Sequence, residues 1–285
     1  MQSESIQPQN AWKEYSGKVA WPTVLLALLC FTGFLSTVVA AEMALIPIWA
    51  GLLINAVFCY IVFTPLHESS HSNVGTRKGS FQWLDTVIGW ASGAMLIAPY
   101  SAFKVLHLRH HSNTNDTGKD PDHWMATSNP VGLLFRGLTI IPRYYFHFFS
   151  FRDKQSRDKT LSTILGVLGL AAIYVAWGHS TSYLHPLLLW VAPALLALAA
   201  LAIVFDWLPH YPHQSKDRYQ NTRVMPGGLL NTALLGQNYH LIHHLYPAVP
   251  FYHYRHVFDD TREYLEAKGA PIGWSASMDA ISEAG

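Results

Sequence analysis

A chain of 285 residues in which 50% are hydrophobic and only 13% charged is too apolar to read as one or two ordinary soluble domains. Its formal net charge of +1 gives nucleic-acid binding no support. The two cysteines, Cys30 and Cys59, sit inside apolar runs, which argues against a disulfide framework and against a thiolate metal site.

Residues 1–20 are polar, with Lys13 and Lys18 ahead of Trp21-Pro22, and lack the order of a signal peptide. The first apolar run, Thr23 to Ala41, carries no charge, and the second, Met43 to Leu66, has only Asn55 and Thr64 as polar side chains. Each is long enough to cross a hydrocarbon layer of roughly 30 Å as a helix. A tight hairpin around Ala40 to Ala44 joins them. The second run ends on His67-Glu68-Ser69-Ser70-His71, whose histidines stand one helical turn apart. A polar turn with Arg77 and Lys78 follows. Val87 to Tyr100 is apolar but short, which predicts an interfacial or re-entrant helix rather than a span.

That helix leads into His107-Leu108-Arg109-His110-His111, with imidazoles at i, i+3 and i+4, a spacing that predicts one helix face. A polar loop with Asp120 and Asp122 comes next. The aromatic run Tyr144 to Phe149 reads as an anchor at the lipid headgroups or as an ordinary core helix. Charges cluster from Arg152 to Lys159, a third span runs Leu161 to Trp177, and a loop from Gly178 to His185 precedes a fourth span, Pro186 to Phe205. Asp206, His210 and His213 close that span. From Gln214 the chain is polar apart from Leu229 to Leu235, until the second triple, His240-Leu241-Ile242-His243-His244. The tail from about Gly269 has no obvious fold signal.

These elements predict an all-α, integral membrane fold. It is a four-helix stem (23–41, 43–66, 161–177, 186–205) with a cap (67–160 and 206–268), forming one domain over 1–285. The two far-side loops hold no Lys or Arg, so all 19 basic residues lie on the side of the termini and the histidine motifs. The positive-inside rule makes that side cytoplasmic, in a multi-pass protein of the bacterial inner-membrane type.

Three protonated imidazoles would repel one another, and three buried without partners would be costly; neutral and gathered around a metal, they make sense. The candidates are His67, His71, His107, His110, His111, His210, His213, His240, His243 and His244. They are too many for one ion and suit two. Nitrogen ligands suit Fe, Cu, Zn or Ni. A redox pair facing the bilayer favours iron, acting with O2 on a lipid-soluble substrate with inert C–H bonds. Two rivals stand beside this reading. His67-Glu68-Ser69-Ser70-His71 matches the H-E-x-x-H pattern of zinc proteases, with Glu68 as general base. A haem carrier would need only paired axial histidines. No G-x-G-x-x-G stretch is present, so no bound flavin or nicotinamide is expected.

H-x-x-x-H, H-x-x-H-H and a late H-x-x-H-H around four spans resemble the membrane fatty acid desaturase and hydroxylase superfamily, from about Thr23 to Tyr254. Within it, Phe205 to Gln214 and Leu235 to Pro250 resemble the bacterial and cyanobacterial-type β-carotene hydroxylases. The resemblance implies a non-haem di-iron site held by His67 and His71, by His107, His110 and His111, and by His240, His243 and His244. A ninth ligand falls on His210 through the pattern Asp206-x-x-x-His210. Asp206 stands where the family has Asn or His, and its role stays open between ligand, water holder and hydrogen-bond acceptor; His213 is a further candidate. Glu68, Asp120 and Asp122 are candidate carboxylates for orienting ring N–H groups. The implied reaction uses O2 and electrons from an external donor such as ferredoxin, with docking expected at Arg152 to Lys159. Hydroxylation of the β-ring of carotenoids (β-carotene to zeaxanthin type) is the first expectation and acyl-lipid desaturation the alternative.

Overall fold

The computed structural model describes residues 10–76 and 80–273. Its helices are α1 (Trp21–Glu42), α2 (Ile48–Ser70), α3 (Trp83–Met95), α4 (Tyr100–Asn113), α5 (Pro130–Leu138), α6 (Ile140–Ser150), α7 (Lys154–Ser180), α8 (Leu184–Trp207), α9 (His240–Leu245) and α10 (Tyr254–Ala267). Shorter helical turns lie at Ala11–Glu14, Pro121–Met125 and Gly228–Ala233. Among the described residues there is no strand, only an isolated bridge between Val224 and Ile272. Arg77, Lys78 and the tail beyond 273 lie outside the described residues; residues 269–273 are tied in, with Gly273 N–H donating to Val224 O at 2.8 Å.

Four helices, α1, α2, α7 and α8, are long and apolar enough to span a membrane. Their ends differ from the apolar runs for local reasons. Pro22 sits in the first turn of α1, where its missing N–H costs nothing. The second span begins at Ile48 rather than Met43, because Ala44 turns with φ +56° and Pro47 caps α2 in an extended conformation. It then runs on to Ser70, so the first histidine pair is part of the helix. Pro65 inside α2 removes one backbone donor just before His67. The loop expected at Gly178 to His185 shrinks to 181–183.

Cys30, Phe34, Cys59, Val62, Trp190 and Leu201 form the core between α1, α2 and α8. Helices approach closely where a side chain fills a glycine's space: a Cβ at Gly33 would lie 2.2 Å from the Phe58 ring. Asn55, the one amide of the second run, is buried and donates to Leu189 O at 2.7 Å, which offsets part of the cost of a polar group at that depth, although its Oδ1 has no partner. Leu25, Leu28, Leu53, Val57, Leu161, Leu165 and Leu168 point outwards. Such an uncovered apolar belt is unfavourable in water and natural in lipid. At the far end Glu42 accepts from Trp177 Nε1 at 2.6 Å and pairs with His185 Nδ1 at 2.8 Å, so the two far-side links meet.

Helices α3 and α4 meet at 100°, forming the elbow expected from the short apolar run. Close approach enforces the bend: a Cβ at Gly93 would lie 2.4 Å from Ala98 O. Asn129 caps α5 by accepting from Val131 N–H and Gly132 N–H at 2.9 and 3.2 Å. Helices α5 and α6 expose Val131, Leu134, Phe135, Leu138, Phe146 and Phe149, the pattern of interfacial helices. The aromatic run is therefore not a core helix, although Phe148 and Tyr144 turn inwards. Tyr239, Leu241, Ile242, Tyr254, Val257 and Phe258 bind α9 to α10.

Candidate metal centre

Histidine geometry on each helix follows from 100° per residue. Residues at i and i+4 lie about 40° apart, whereas the i+3 residue diverges by about 100° from i+4. The structure resolves the two H-x-x-H-H motifs accordingly. His107 and His111 of α4 join His67, His71 and His243 in one cluster, and His110 of α4 joins His210, His240 and His244 in another. Each triple is thus split between two sets rather than presented on one face. The i, i+4 pairs stay together, and His110 and His243 cross over.

Within each cluster the candidate ligand atoms lie within 4.8 Å of one another. In the five-histidine set the Nε2–Nε2 distances are 2.9 Å for His67–His243, 2.7 Å for His71–His107 and 2.8 Å for His111–His243. In the four-histidine set they are 3.0 Å for His210–His240, 3.2 Å for His240–His244 and 3.3 Å for His110–His244. Two nitrogens bound at right angles to one ion, each about 2.1 Å from it, stand about 3.0 Å apart. Hydrogen bonding alone explains these contacts poorly. Nε2 of His243 touches two other Nε2 atoms, and one ring nitrogen offers a single hydrogen or a single lone pair. The donor set therefore fits two cations. Five imidazoles exceed the four ligands of a tetrahedral zinc site and suit an ion of higher coordination.

The elements position these rings locally. The last turn of α8 widens, with Leu208 N–H donating to Ile203 O at 2.9 Å, an i to i−5 bond of the kind found at functional sites. That turn carries Asp206 and precedes His210. Before α9, Gly236 adopts φ +76°, and a Cβ there would lie 2.8 Å from Phe251 O, so only glycine fits the turn into the last motif.

Four of the outward-facing ring nitrogens have partners of their own, while Nδ1 of His67 and of His240 have no hydrogen-bond partner. His110 Nδ1 is 2.8 Å from Asp120 Oδ1, His243 Nδ1 is 2.9 Å from Tyr254 Oη, and His210 Nδ1 is 3.3 Å from Asn221 O. His244 Nδ1 lies 3.4 Å from Thr114 Oγ1. Donation from Nδ1–H leaves each Nε2 lone pair facing the cluster. Asp120 also accepts from Asn115 N–H at 2.7 Å and Asp122 N–H at 2.9 Å, which fixes its carboxylate. Glu68 is buried, accepts from Tyr254 Oη at 3.2 Å and stands 3.6 Å from His67 Nδ1.

Burial first, and neighbouring imidazoles second, hold His107, His111, His240, His243 and His244 well below the usual imidazole range, and His210 likewise. Neutral imidazole is the ligating form. At His110 burial opposes charge, but the Asp120 and Asp122 carboxylates outweigh it and raise the pKa to about 9. A metal cation at Nε2 would supply the positive charge that those carboxylates favour. Burial, then Asp120, pushes the Asp122 carboxyl up.

All nine histidines expected as ligands fall into the two clusters. His213 does not: it is buried at φ +62°, its ring is 6.1 Å from those of His123 and His210, and its Nε2 has no hydrogen-bond partner. Asp206 lies outside both histidine sets and accepts from Tyr144 Oη at 3.1 Å. Tyr144 also donates to Asp122 at 2.6 Å. The one phenol hydrogen is shared between two buried carboxylates, with the shorter contact to Asp122. Tyr144 and Tyr254 are the residues that sequence reasoning missed. Tyr144 was hidden in an aromatic run, and nothing in sequence marks Tyr254 as a partner of Glu68, 186 residues away. The Arg152 to Lys159 segment opens α7, and Arg109 pairs with Asp153 there.

An apolar cleft reaches the five-histidine cluster at His107 from the elbow side. Phe63, Leu66, Phe103, Leu106, Leu198 and Leu201 line it, and His107, Asp122 and Asp206 bound its polar end. A second hollow against α6, lined by Pro99, Ala102, Ile141 and Tyr145, shares Phe103, Leu106 and Tyr144 with it.

Residues 43–276 match the family model described as fatty acid desaturase. The chain is 21% identical over 300 residues to an sn-1 oleoyl-lipid 12-desaturase of Picosynechococcus sp., covering 93% of this chain and 83% of that enzyme. It is 26% identical over 267 residues to a Δ(12) acyl-lipid conjugase of Momordica charantia, covering 77% and 67%. A dihydrorhizobitoxine desaturase of Bradyrhizobium elkanii is 29% identical over 219 residues, covering 66% and 60%. These names favour the desaturase alternative over the ring hydroxylase expected first.

Proposed function

This chain belongs to the fatty acid desaturase family, and from that premise we propose that it is a membrane-bound di-iron desaturase acting on the acyl chain of a lipid. The observation that carries the reading is the pair of histidine clusters, one of which meets the polar end of an apolar cleft at His107. The relatives named as acyl-lipid desaturase and conjugase support the same chemistry.

In the proposed site His67, His71, His107, His111 and His243 hold one iron, and His110, His210, His240 and His244 hold the other. Two irons, when bound, supply O2 activation strong enough to take hydrogen from an unactivated carbon. The overall change is –CH2–CH2– plus O2, two electrons and two protons to –CH=CH– plus two waters. The electrons come from an external carrier such as a ferredoxin. Asp120, Tyr254 and the Asn221 carbonyl orient the imidazoles through Nδ1. Tyr144 holds Asp122 and Asp206 together at the end of the cleft. Phe63, Phe103, Leu106 and Leu201 offer the chain a dry wall, so the carbon beside His107 is shielded from water. The zinc-protease reading loses its basis, since His67 and His71 share their cluster with three further imidazoles. The charge asymmetry of the links supports a cytoplasmic position for the histidine side.

Expression in a bacterium that accumulates β-carotene, followed by chromatography of acyl chains and pigments, tests the proposal. Newly unsaturated acyl chains, absent with His243→Ala, are expected. Hydroxylated carotenoid with unchanged acyl chains would overturn the desaturase reading.

A further inference from the structure

A second cavity, of about 450 Å³, lies on the other side of α4, enclosed by the end of α2, by α3 and by the start of α7. Helix α4 divides the two spaces. It presents Ser101, Lys104 and Leu108 to this cavity, and Phe103, Leu106 and His107 to the apolar cleft. The walls are fixed. Ser101 Oγ and Thr163 Oγ1 are 2.9 Å apart and buried, and Arg109 pairs with Asp153, so α7 is pinned to α4 below and above. Gly166 lets α7 close on the elbow, since a Cβ there would lie 2.9 Å from the Trp90 ring.

Two ammonium groups enter this space, from Lys104 and Lys159. Lys104 is half-buried, and its contacts are two hydroxyls at 3.4 Å, Ser72 Oγ and Tyr100 Oη. Among the described residues neither lysine has a carboxylate within ion-pair distance. Asp85 lines the wall, but its oxygens accept from Val74 N–H at 2.9 Å and Gly75 N–H at 3.1 Å. Burial lowers the Lys104 pKa, the Asp85 carboxylate opposes this from beyond ion-pair distance, and Lys159 adds a like charge, so two ammonium groups face one carboxylate that already serves two backbone N–H groups.

The height of the cavity narrows the choice of anion. The charges of α7 end at Lys159, and its apolar stretch begins at Leu161. Trp90 stands in the wall and Trp83 is exposed nearby on α3, as aromatic residues do at the boundary of lipid and water. We propose that this cavity binds the anionic phosphate headgroup of a membrane phospholipid, with Lys104 and Lys159 as its charge partners and the hydroxyl and amide side chains around them as donors. This site is separate from the reaction site and does not depend on the catalytic reading.

The test is isothermal titration of the purified full-length protein in a neutral detergent with three probes: dihexanoyl-phosphatidylglycerol, dihexanoyl-phosphatidylcholine and inorganic phosphate. The expected result is binding of the glycerol lipid about tenfold tighter than of either other probe. The double variant Lys104→Gln/Lys159→Gln should weaken it by at least about tenfold, and Lys154→Gln, outside the cavity, should leave it unchanged. Should Lys104→Gln fail to fold, Lys159→Gln alone, at an exposed position, carries the comparison with a loss of several-fold. Glycerol-lipid binding insensitive to the lysines would overturn the site. Choline lipid binding as tightly as glycerol lipid would overturn the requirement for net negative charge. Inorganic phosphate binding as tightly as the glycerol lipid would assign the site to free phosphate instead of lipid.

Discussion

The Tyr254 hydroxyl stands between His243 and Glu68, 2.9 Å from the ring Nδ1 of the first and 3.2 Å from Oε1 of the second. It joins α10 to the first histidine pair on α2 through the last motif on α9. Burial and Glu68 keep the phenol protonated. The hydroxyl therefore donates to Glu68 and accepts from His243 Nδ1–H, which turns the His243 Nε2 lone pair into the five-histidine cluster.

Tyr254→Phe keeps the ring and removes that acceptor. Iron retention in the five-histidine set and product yield are each expected to fall roughly 10–100-fold, with the fold intact by circular dichroism. Unchanged retention during dialysis against a chelator would reduce the phenol to a packing role.

Asp120 is expected to matter for the other cluster. Asp120→Ala leaves the N–H groups of Asn115 and Asp122 without an acceptor and leaves His110 Nδ1 only Asp122 Oδ2, at 3.3 Å. The expected cost is about 1–3 kcal/mol of stability for each buried group left unpaired. Iron should drop preferentially from the four-histidine set, a loss that metal analysis can follow. Full metal content in the variant would contradict this role.

Gly236→Ala tests how the last motif is placed. Its φ of +76° and the Phe251 carbonyl 2.8 Å from a would-be Cβ both oppose a side chain. A loss of about 1–3 kcal/mol is expected, read as a lower melting temperature. An unchanged melting temperature would mean that the turn relaxes freely.

Acid should destabilise the metal-free protein. Six cluster histidines, including His107 and His243, have folded pKa values held below the unfolded value of about 6.5. Below that pH the unfolded chain binds more protons than the folded one, so their stability is present above about 6.5 and lost as pH falls. His110, raised to about 9, is protonated in both states below about 6.5 and adds no slope there. Melting temperature measured from pH 6.5 down to 5 after chelation should decline. A flat profile would contradict the burial of neutral imidazoles.

Much of this architecture is legible in the sequence because apolar length and histidine spacing are local signals. The four spans and the elbow at Val87 to Tyr100 are of that kind. Helix ends are less legible. Ala44 and Pro47 delay α2, and the widened turn at Ala202–Trp207 re-aims Asp206 and His210. All nine clustered histidines could be named from the motifs, but not their division. Which set His110 and His243 join depends on how α4 and α9 face each other, and that is set by packing far from either motif. Tyr144 lies in a run that mixes outward Phe146 and Phe149 with buried Phe148, so its bonds to Asp122 and Asp206 have no sequence signature.

Metal analysis of the purified protein tests the division into two sites most directly. Two irons per chain are expected, falling to about one in either His71→Ala or His210→Ala, with distinct spectra for the two half-loaded forms. One zinc per chain, or a haem absorption band, would contradict the two-iron site. Loss of all metal in both variants, with the fold retained, would contradict two sites that bind independently.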